Sequence, residues 1–504
     1  MSASTFIARW QELFRLDKEA ILDSEGTVSF RDLGDRVARA SAVLRNGAPN
    51  LEGKRVALLV APGSAWVEAF LGTVFAGGIA VPLSHLYPAA ELAYFVENAA
   101  ADTFVVSPDF ADLARPFAEG RRILSPEDLR AGSPDGIAPS ANDDDVALML
   151  YTSGTTGRPK GAMITHRNLA HQAALLRGAW GFSEKDRLLH ALPLHHLHGL
   201  GISLMTALMS GASARMLPRF DAHRVWDEMA QVTVFMGVPT MYHKLFEAFD
   251  AADEATQKRY AQSASGLRLS TSGSAALPVT LSERWRKLAG NNPVERFGMT
   301  EIGVGMTNPL DGIRKAGSVG LPLPTVEWRI VGEDGKDVAD GESGELWIRG
   351  PSVFKGYWQN PDATAKAFQD GWFRTGDIAI RDGDGYLRLL GRSSVDILKS
   401  GGYKLSALEI EDALREHDAV SEIAVVGMPD EVWGECVVAV IVAKPGREKE
   451  LEEAALRAWA KNRLAPYKVP KRVVVVPSLP RNAIGKVLKP EVKKMVAGMS
   501  STGA

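Results

Sequence analysis

Short apolar runs alternate with segments of helical periodicity along the first half of the chain. Arg55 to Val60 is an apolar run of strand length, Ser64 to Val74 carries apolar residues at helical spacing, and Ile79 to Pro82 is again strand-like. Further short runs fall at Thr103 to Ser107, Leu188 to Leu192 and Ala214 to Leu217, with helical stretches between. Such alternation predicts an α/β fold of layered, largely parallel sheets. From about Glu327 the pattern changes to short strands set between Gly and Asp turns, at Glu327 to Val331, Gly344 to Arg349 and Gly385 to Leu390. A small β-rich unit is expected there, over about 325–391.

The remaining region, about 392–504, reads strand, helix, strand, strand, helix, strand. Ser406 and Glu409 have the spacing of a capping box, in which the hydroxyl caps one orphan amide and the carboxylate reaches back to another. Ile423 to Val426 and Val437 to Val442 are strand-like, Glu450 to Arg463 is an amphipathic helical stretch, and Arg472 to Val476 is a last strand. A segment of about 110 residues suits a separate α+β domain. The expected organisation is a large domain, 1–391, followed by a smaller one, 392–504.

Composition narrows the function classes. The 504 residues are 45% hydrophobic and 24% charged, the balance of a soluble globular chain. Lys+Arg 58 against Asp+Glu 61 leaves a net charge of -3, so nothing global draws the chain to nucleic acid or anionic lipid. Any phosphate must be held by a local site. The single cysteine, Cys436, excludes an intramolecular disulfide and a multi-cysteine metal site, and its apolar surroundings predict a buried small hydrophobe. Met1 to Ala20 carries Glu12, Asp17 and Glu19 among spaced apolar residues, an amphipathic helix rather than a secretory signal. No apolar run reaches the ~18 residues of a membrane span. A cytoplasmic enzyme with no membrane partner is expected.

One loop carries most of the chemistry. Behind the apolar run Leu148 to Tyr151 come Thr152, Ser153, Gly154, Thr155, Thr156 and Gly157, then Arg158, Pro159 and Lys160. Glycines let the backbone approach an anion closely, and free amides and hydroxyls then donate to phosphate oxygens. A P-loop would need Gly-Lys-Ser/Thr opening a helix. Here Gly161 follows Lys160, and Ala162 to Thr165 reads as a second strand, so the loop is expected to bridge two strands.

The 152–160 segment resembles the signature loop of the adenylate-forming superfamily, which comprises acyl-CoA synthetases, luciferases and adenylation domains of peptide synthetases. Other blocks stand in that family's order: Pro193 to His196, Ser272 to Pro278, Arg296 to Glu301, Trp372 to Asp377, Gly391 with Arg392, and Pro480 to Lys486. The resemblance runs over roughly 25–490. It implies an ATP-dependent acid–CoA ligase working through an acyl-adenylate, with a mobile C-terminal lid domain. The carboxylate is already a nucleophile, so catalysis reduces to positioning and charge neutralisation.

The same resemblance implies the roles. The 152–157 loop and Lys160 would hold the ATP phosphates. Ser274, Arg296, Phe297, Gly298 and Met299 would line the AMP site, with Thr300 donating to the α-phosphate. Glu301, with Thr156, would anchor Mg2+. Asp377 would accept the ribose hydroxyls, helped by Arg392, and Lys486 would bridge carboxylate and α-phosphate. His196 lies in the segment gating the acyl and thiol pockets. After lid rotation about a hinge near Ser394 and Val395, Lys399, Gly401, Gly402 and Tyr403 would line the CoA tunnel.

The acid is read from cations in the acyl-pocket segments. His198, Lys244, Arg268, Arg296 and Arg314 all fall there. A buried cation without a partner costs several kcal/mol, so any that point inward ask the substrate for an anion. Blocks such as Glu295 to Glu301 and Ser394 to Ser406 are similar to malonyl-CoA and methylmalonyl-CoA synthetases. Malonate is the first expectation and methylmalonate the second. The alternatives are a short- or medium-chain monocarboxylate–CoA ligase, an adenylating enzyme loading a carrier protein in trans, a luciferase-like oxidase, and a nucleotide-binding scaffold. Partners are the small acid, ATP and CoA, and the chain is expected to act as a monomer or homodimer.

Overall fold

The computed structural model describes residues 4–152, 158–400, 403–430, 433–481 and 487–501. Contacts group the chain into two compact units. The first runs to Leu277 and adds Leu281–Glu327 and Ile348–Phe373; the second comprises Pro278–Thr280, Trp328–Trp347 and the chain from Arg374 on.

Both large sheets of the first unit are mixed α/β layers. In one, the strands run in the order Gly356–Tyr357, Lys160–Thr165, Val146–Thr152, Ile79–Pro82, Arg55–Leu59, Thr103–Val106 and Arg122–Leu124. Arg55–Leu59 pairs in parallel with both neighbours and is buried on both faces, which is why it reads as an unbroken apolar run. The helix Ser64–Phe75 that follows is buried at every position.

The other sheet has the order Leu321–Pro322, Gly303–Thr307, Val294–Met299, Leu269–Ser272, Val234–Gly237, Arg187–His190, Ser213–Met216, Glu19–Asp23 and Gly26–Ser29. Its central pairs are parallel and its ends antiparallel. The N-terminal helix is shorter than its sequence pattern: Thr5–Leu13 buries Phe6, Ile7, Trp10 and Leu13 on one stripe, and Glu19–Asp23 is already strand.

In the second unit, Gly434–Ala443 is the central strand of a sheet with Val420–Asp430, Ile397–Ser400, Tyr403–Ser406 and Arg472–Val475. Period-2 alternation sends Val437, Ala439 and Ile441 to a core with Leu398, Ile410, Leu414 and Leu456. Val438 and Val440 pack on the other face against Val492 and Val496 of the helix Lys489–Ser501. Cys436 lies half-buried at the edge of that second core, its thiol pKa raised first by burial.

Two local expectations change here. Ser406 caps Ala407–Arg415 by accepting from the Glu409 amide, but the Glu409 carboxylate pairs with Lys468 Nζ at 2.6 Å. The helical stretch from Glu450 is divided, because Glu452 takes an extended conformation between the turn Glu448–Leu451 and the helix Glu453–Ala460.

Candidate active site

The strands Val146–Thr152 and Lys160–Thr165 pair antiparallel, with Thr152 opposite Lys160 and Tyr151 opposite Gly161. The chain between them therefore links two strands, as the sequence pattern requires. Ser153, Gly154, Thr155, Thr156 and Gly157 lie outside the described residues. The far side of the loop is tied down: Tyr94 donates its hydroxyl to the Pro159 carbonyl at 2.9 Å, and the Arg158 guanidinium lies 5.4 Å from the Tyr94 ring centroid. A Cβ on Gly161 would stand 2.8 Å from Met149 Sδ, so a side chain there would have to displace the methionine. Lys160 Nζ sits 5.1 Å from the ring centroid of Tyr357.

Tyr357 leads directly to the predicted acid. Its hydroxyl donates to Glu301 Oε1 at 2.9 Å. Glu301 stands in the tight turn between Val294–Met299 and Gly303–Thr307, which closes through the Ile302 amide on the Met299 carbonyl at 3.2 Å. Gly303 takes φ +68°, and Phe354 donates its amide to the Glu301 carbonyl at 2.8 Å. Glu301 is buried; Thr300, next to it, is half-buried. Sequence alone did not mark Tyr357, because nothing in its neighbourhood distinguishes it from Trp358, whose indole bonds the Asn98 carbonyl.

The strand carrying Arg296, Phe297, Gly298 and Met299 delivers a cation to the interior. Arg296 is 4% exposed, and its Nε and Nη2 find no hydrogen-bond partner among the described residues. Burial lowers its pKa to about 10, still well above neutrality, so the guanidinium remains charged. His198, from another element, stands close enough to feel its charge. Its Nδ1 lies 3.1 Å from Ser274 Oγ, its Nε2 is unpartnered among the described residues, and its pKa is held well below the usual value by burial and then by Arg296. Ser274 reaches it from φ +68°, a left-handed conformation costing about 1–2 kcal/mol.

His196 is pushed down to about 4 by burial, and its Nε2 also lacks a partner among the described residues. At neutral pH these imidazoles are uncharged donors or acceptors, so Arg296 supplies the charge of this group. The histidine segment follows the strand Arg187–His190 and turns sharply, leaving Gly199 no space for a Cβ, which would meet the Pro193 carbonyl oxygen at 2.2 Å.

Of the other three cations expected at the acid pocket, two hold other partners and one is exposed. Arg268 makes two bonds to Asp186, at 2.6 and 2.8 Å, and a third to the Trp180 carbonyl. Arg314 donates to the carbonyls of Pro309, Asn292 and Leu310. Lys244 lies on the exposed side of Pro239–Ala251. Of the five, the structure brings Arg296 and His198 together, while Arg268 and Arg314 hold other partners and Lys244 is exposed.

In the second unit, Asp377 lies opposite Arg392 in the antiparallel pair Trp372–Arg381 and Leu387–Arg392. Arg392 Nε is 3.0 Å from Asp377 Oδ1, and its Nη1 donates to the Thr375 carbonyl at 3.1 Å. Asp377 is buried, so the pair is preorganised. Asp396 accepts from the Arg392 amide at 3.0 Å and is bound at 2.5 Å by Lys489 Nζ, which also bonds Glu411 at 2.7 Å. Lys399 is exposed, and Tyr403, 53% exposed, stacks on Tyr467 at 4.4 Å. Gly401, Gly402 and Lys486 lie outside the described residues. The bridge between Arg481 and Val487 brackets the segment that holds Lys486 in sequence.

Comparison with known proteins shows the family. A family model described as AMP-binding enzyme matches residues 7–358, and one described as AMP-binding enzyme C-terminal domain matches 409–486. The malonate–CoA ligase of Arabidopsis thaliana is 42% identical over 482 residues, 89% of this chain and 79% of that protein. The mitochondrial malonate–CoA ligase ACSF3 of Mus musculus is 40% identical over 523 residues, 95% of this chain and 89% of its own. Among solved structures, ATP-bound MatB from Rhodopseudomonas palustris superposes with a TM-score of 0.89 at 36% identity, covering 98% of this chain and 99% of that one. With the family model matched over most of the chain and relatives aligned along nearly all of it, the chain belongs to the AMP-binding enzyme family.

Proposed function

We propose that the protein is an acid–CoA ligase for a small dicarboxylate, malonate first and methylmalonate second, forming the acyl-CoA, AMP and pyrophosphate from ATP. The buried Arg296 guanidinium, whose Nε and Nη2 find no partner among the described residues, carries this reading. A charge so placed asks for an anion, and the carboxylate of malonate that does not react would supply it. Two of the similar proteins are themselves named malonate–CoA ligases.

The reacting carboxylate attacks the α-phosphorus of ATP and needs no general base. The chain's work is to bring two anions together and to stabilise the departing pyrophosphate. Lys160 and the 152–157 loop neutralise and orient the phosphates, and Thr300 donates to the α-phosphate. Asp377, held by Arg392, accepts the ribose hydroxyls. Lys486 supplies positive charge between carboxylate and phosphate. His196 and His198, neutral at pH 7, add hydrogen bonds without competing for the charge. Lys399, Gly401, Gly402 and Tyr403 are assigned to the incoming CoA.

Glu301 suits Mg2+. It is an oxygen donor suited to a hard cation, Thr156 would add a second protein oxygen, and Mg2+ commonly takes only one or two protein carboxylates. When bound, the ion neutralises phosphate charge. Among the described residues no cluster of three His, Cys, Asp or Glu side chains offers a different kind of metal site.

No described helix is long and apolar enough to cross a membrane. The cytoplasm is the proposed compartment. A fluorescent fusion checks it against the mitochondrial location named for the mouse relative. Monomer or homodimer is resolved by light scattering. The function itself is tested by incubating the protein with malonate, ATP, Mg2+ and CoA. Malonyl-CoA and AMP in equal amounts support the reading; ADP formation, or adenylate without thioester, refutes it.

A further inference from the structure

Gly273 follows the strand Leu269–Ser272, in which Thr271 and Ser272 lie opposite Val294 and Glu295 of the neighbouring parallel strand. One step further in that register, Gly273 falls opposite Arg296. A Cβ built on Gly273 would stand 2.4 Å from Arg296 Cζ, 2.5 Å from Nε and 2.8 Å from Nη1. The guanidinium therefore occupies the space that any side chain at 273 would fill. The backbone does not ask for glycine here: Gly273 is absent from the positive-φ positions, whereas Ser274 beside it is at +68°.

We propose that Gly273 is a specificity-determining position, because its missing side chain gives the Arg296 guanidinium its seat at the acid site. The inference rests on the reading that Arg296 receives the second carboxylate of the substrate. Arginine is long and flexible, so a methyl group at 273 is accommodated by displacing the guanidinium rather than by moving the strand. That displacement carries the effect, since two charge-assisted hydrogen bonds are lost if the fork no longer faces the carboxylate. A monocarboxylate, which makes no use of the fork, is indifferent to it. The competing explanation is that glycine lets the nucleotide approach the backbone closely. It predicts a penalty on ATP instead.

The test is a double-mutant cycle of Gly273→Ala, Arg296→Met and the two combined, read as kcat/KM for malonate and for butyrate and as KM for ATP. Gly273→Ala is expected to lower malonate kcat/KM by about tenfold to a hundredfold, with butyrate and ATP parameters within about threefold of the parent. On the Arg296→Met background it should have no further effect on malonate. The same loss in both backgrounds, or a rise in KM for ATP matching the loss on malonate, overturns the proposal. Should the single Gly273→Ala protein fail to fold, recovery in the double variant supports the clash with the guanidinium, and failure of both overturns it. An Arg296→Met protein with unchanged malonate use would overturn the reading of Arg296 and this inference with it. A strong Arg296→Met effect with an additive Gly273→Ala effect sinks this inference alone.

Discussion

Replacing Arg296 by methionine separates what the guanidinium does for the substrate from what it does for the fold. In the free protein the group is 4% exposed, with Nε and Nη2 unpartnered among the described residues. A buried cation in that state opposes folding, and a similarly long apolar side chain relieves the opposition. The variant should therefore unfold at a temperature no lower than the parent. Bound malonate reverses the balance. The two free N–H positions can form charge-assisted bonds to a carboxylate, and removing one partner of such a buried pair costs about 2–5 kcal/mol. Taking about 3–4 kcal/mol, malonate kcat/KM falls by about two to three powers of ten. Butyrate has nothing to lose at this position. Pyrophosphate release measures both acids, with KM for ATP as the control and thermal unfolding as the check on the fold. Malonate kcat/KM within threefold of the parent would refute the reasoning. So would ATP and malonate suffering equally, which would mark damage rather than a lost ligand.

Tyr357→Phe removes the hydroxyl that holds Glu301 while keeping the ring beside Lys160, and should raise the Mg2+ concentration for half-maximal rate about tenfold; an unchanged Mg2+ titration contradicts it. His166, His190 and His196 are pushed to about 4 by burial, so between about 4 and the usual 6.5 the unfolded chain takes up protons that the folded chain refuses. Their contribution to stability is complete above that window and declines as pH falls through it. Unfolding temperature should drop from pH 7.5 to pH 5, less steeply in His166→Asn, and a flat profile counts against buried neutral imidazoles. Lys489→Met leaves Asp396 and Glu411 without the ammonium that binds both, and should lower the unfolding temperature by about 5 °C or more, with Lys489→Arg closer to the parent. Equal stability of the Met variant and the parent would show the buried cluster to be dispensable.

The parts that sequence made legible are those set by local pattern. Pro159 and Gly161 rule out a P-loop helix, and the apolar runs on either side pair as antiparallel strands. Alternation along residues 436–443 is hidden, because both faces are covered and that run is apolar throughout. Gly385 belongs to the turn before its strand, with its amide on the Asp382 carbonyl, so the strand begins at Leu387. The acid pocket was only half legible for a different reason. Residue type announces a cation but not its partner: Asp186 binds Arg268 across 82 positions of sequence, while Arg296 Nε and Nη2 meet no acid among the described residues. Gly273 gave even less sign, since what its missing Cβ makes room for is known only once two strands are side by side.

Whether this AMP-binding enzyme prefers a dicarboxylate is decided by kcat/KM for pyrophosphate release, with ATP, Mg2+ and CoA, across malonate, methylmalonate, acetate, butyrate, octanoate and benzoate. Malonate should lead, methylmalonate should follow, and the monocarboxylates should trail by about two powers of ten, the worth of the Arg296 contact. Butyrate, octanoate or benzoate turning over as efficiently as malonate would contradict the account.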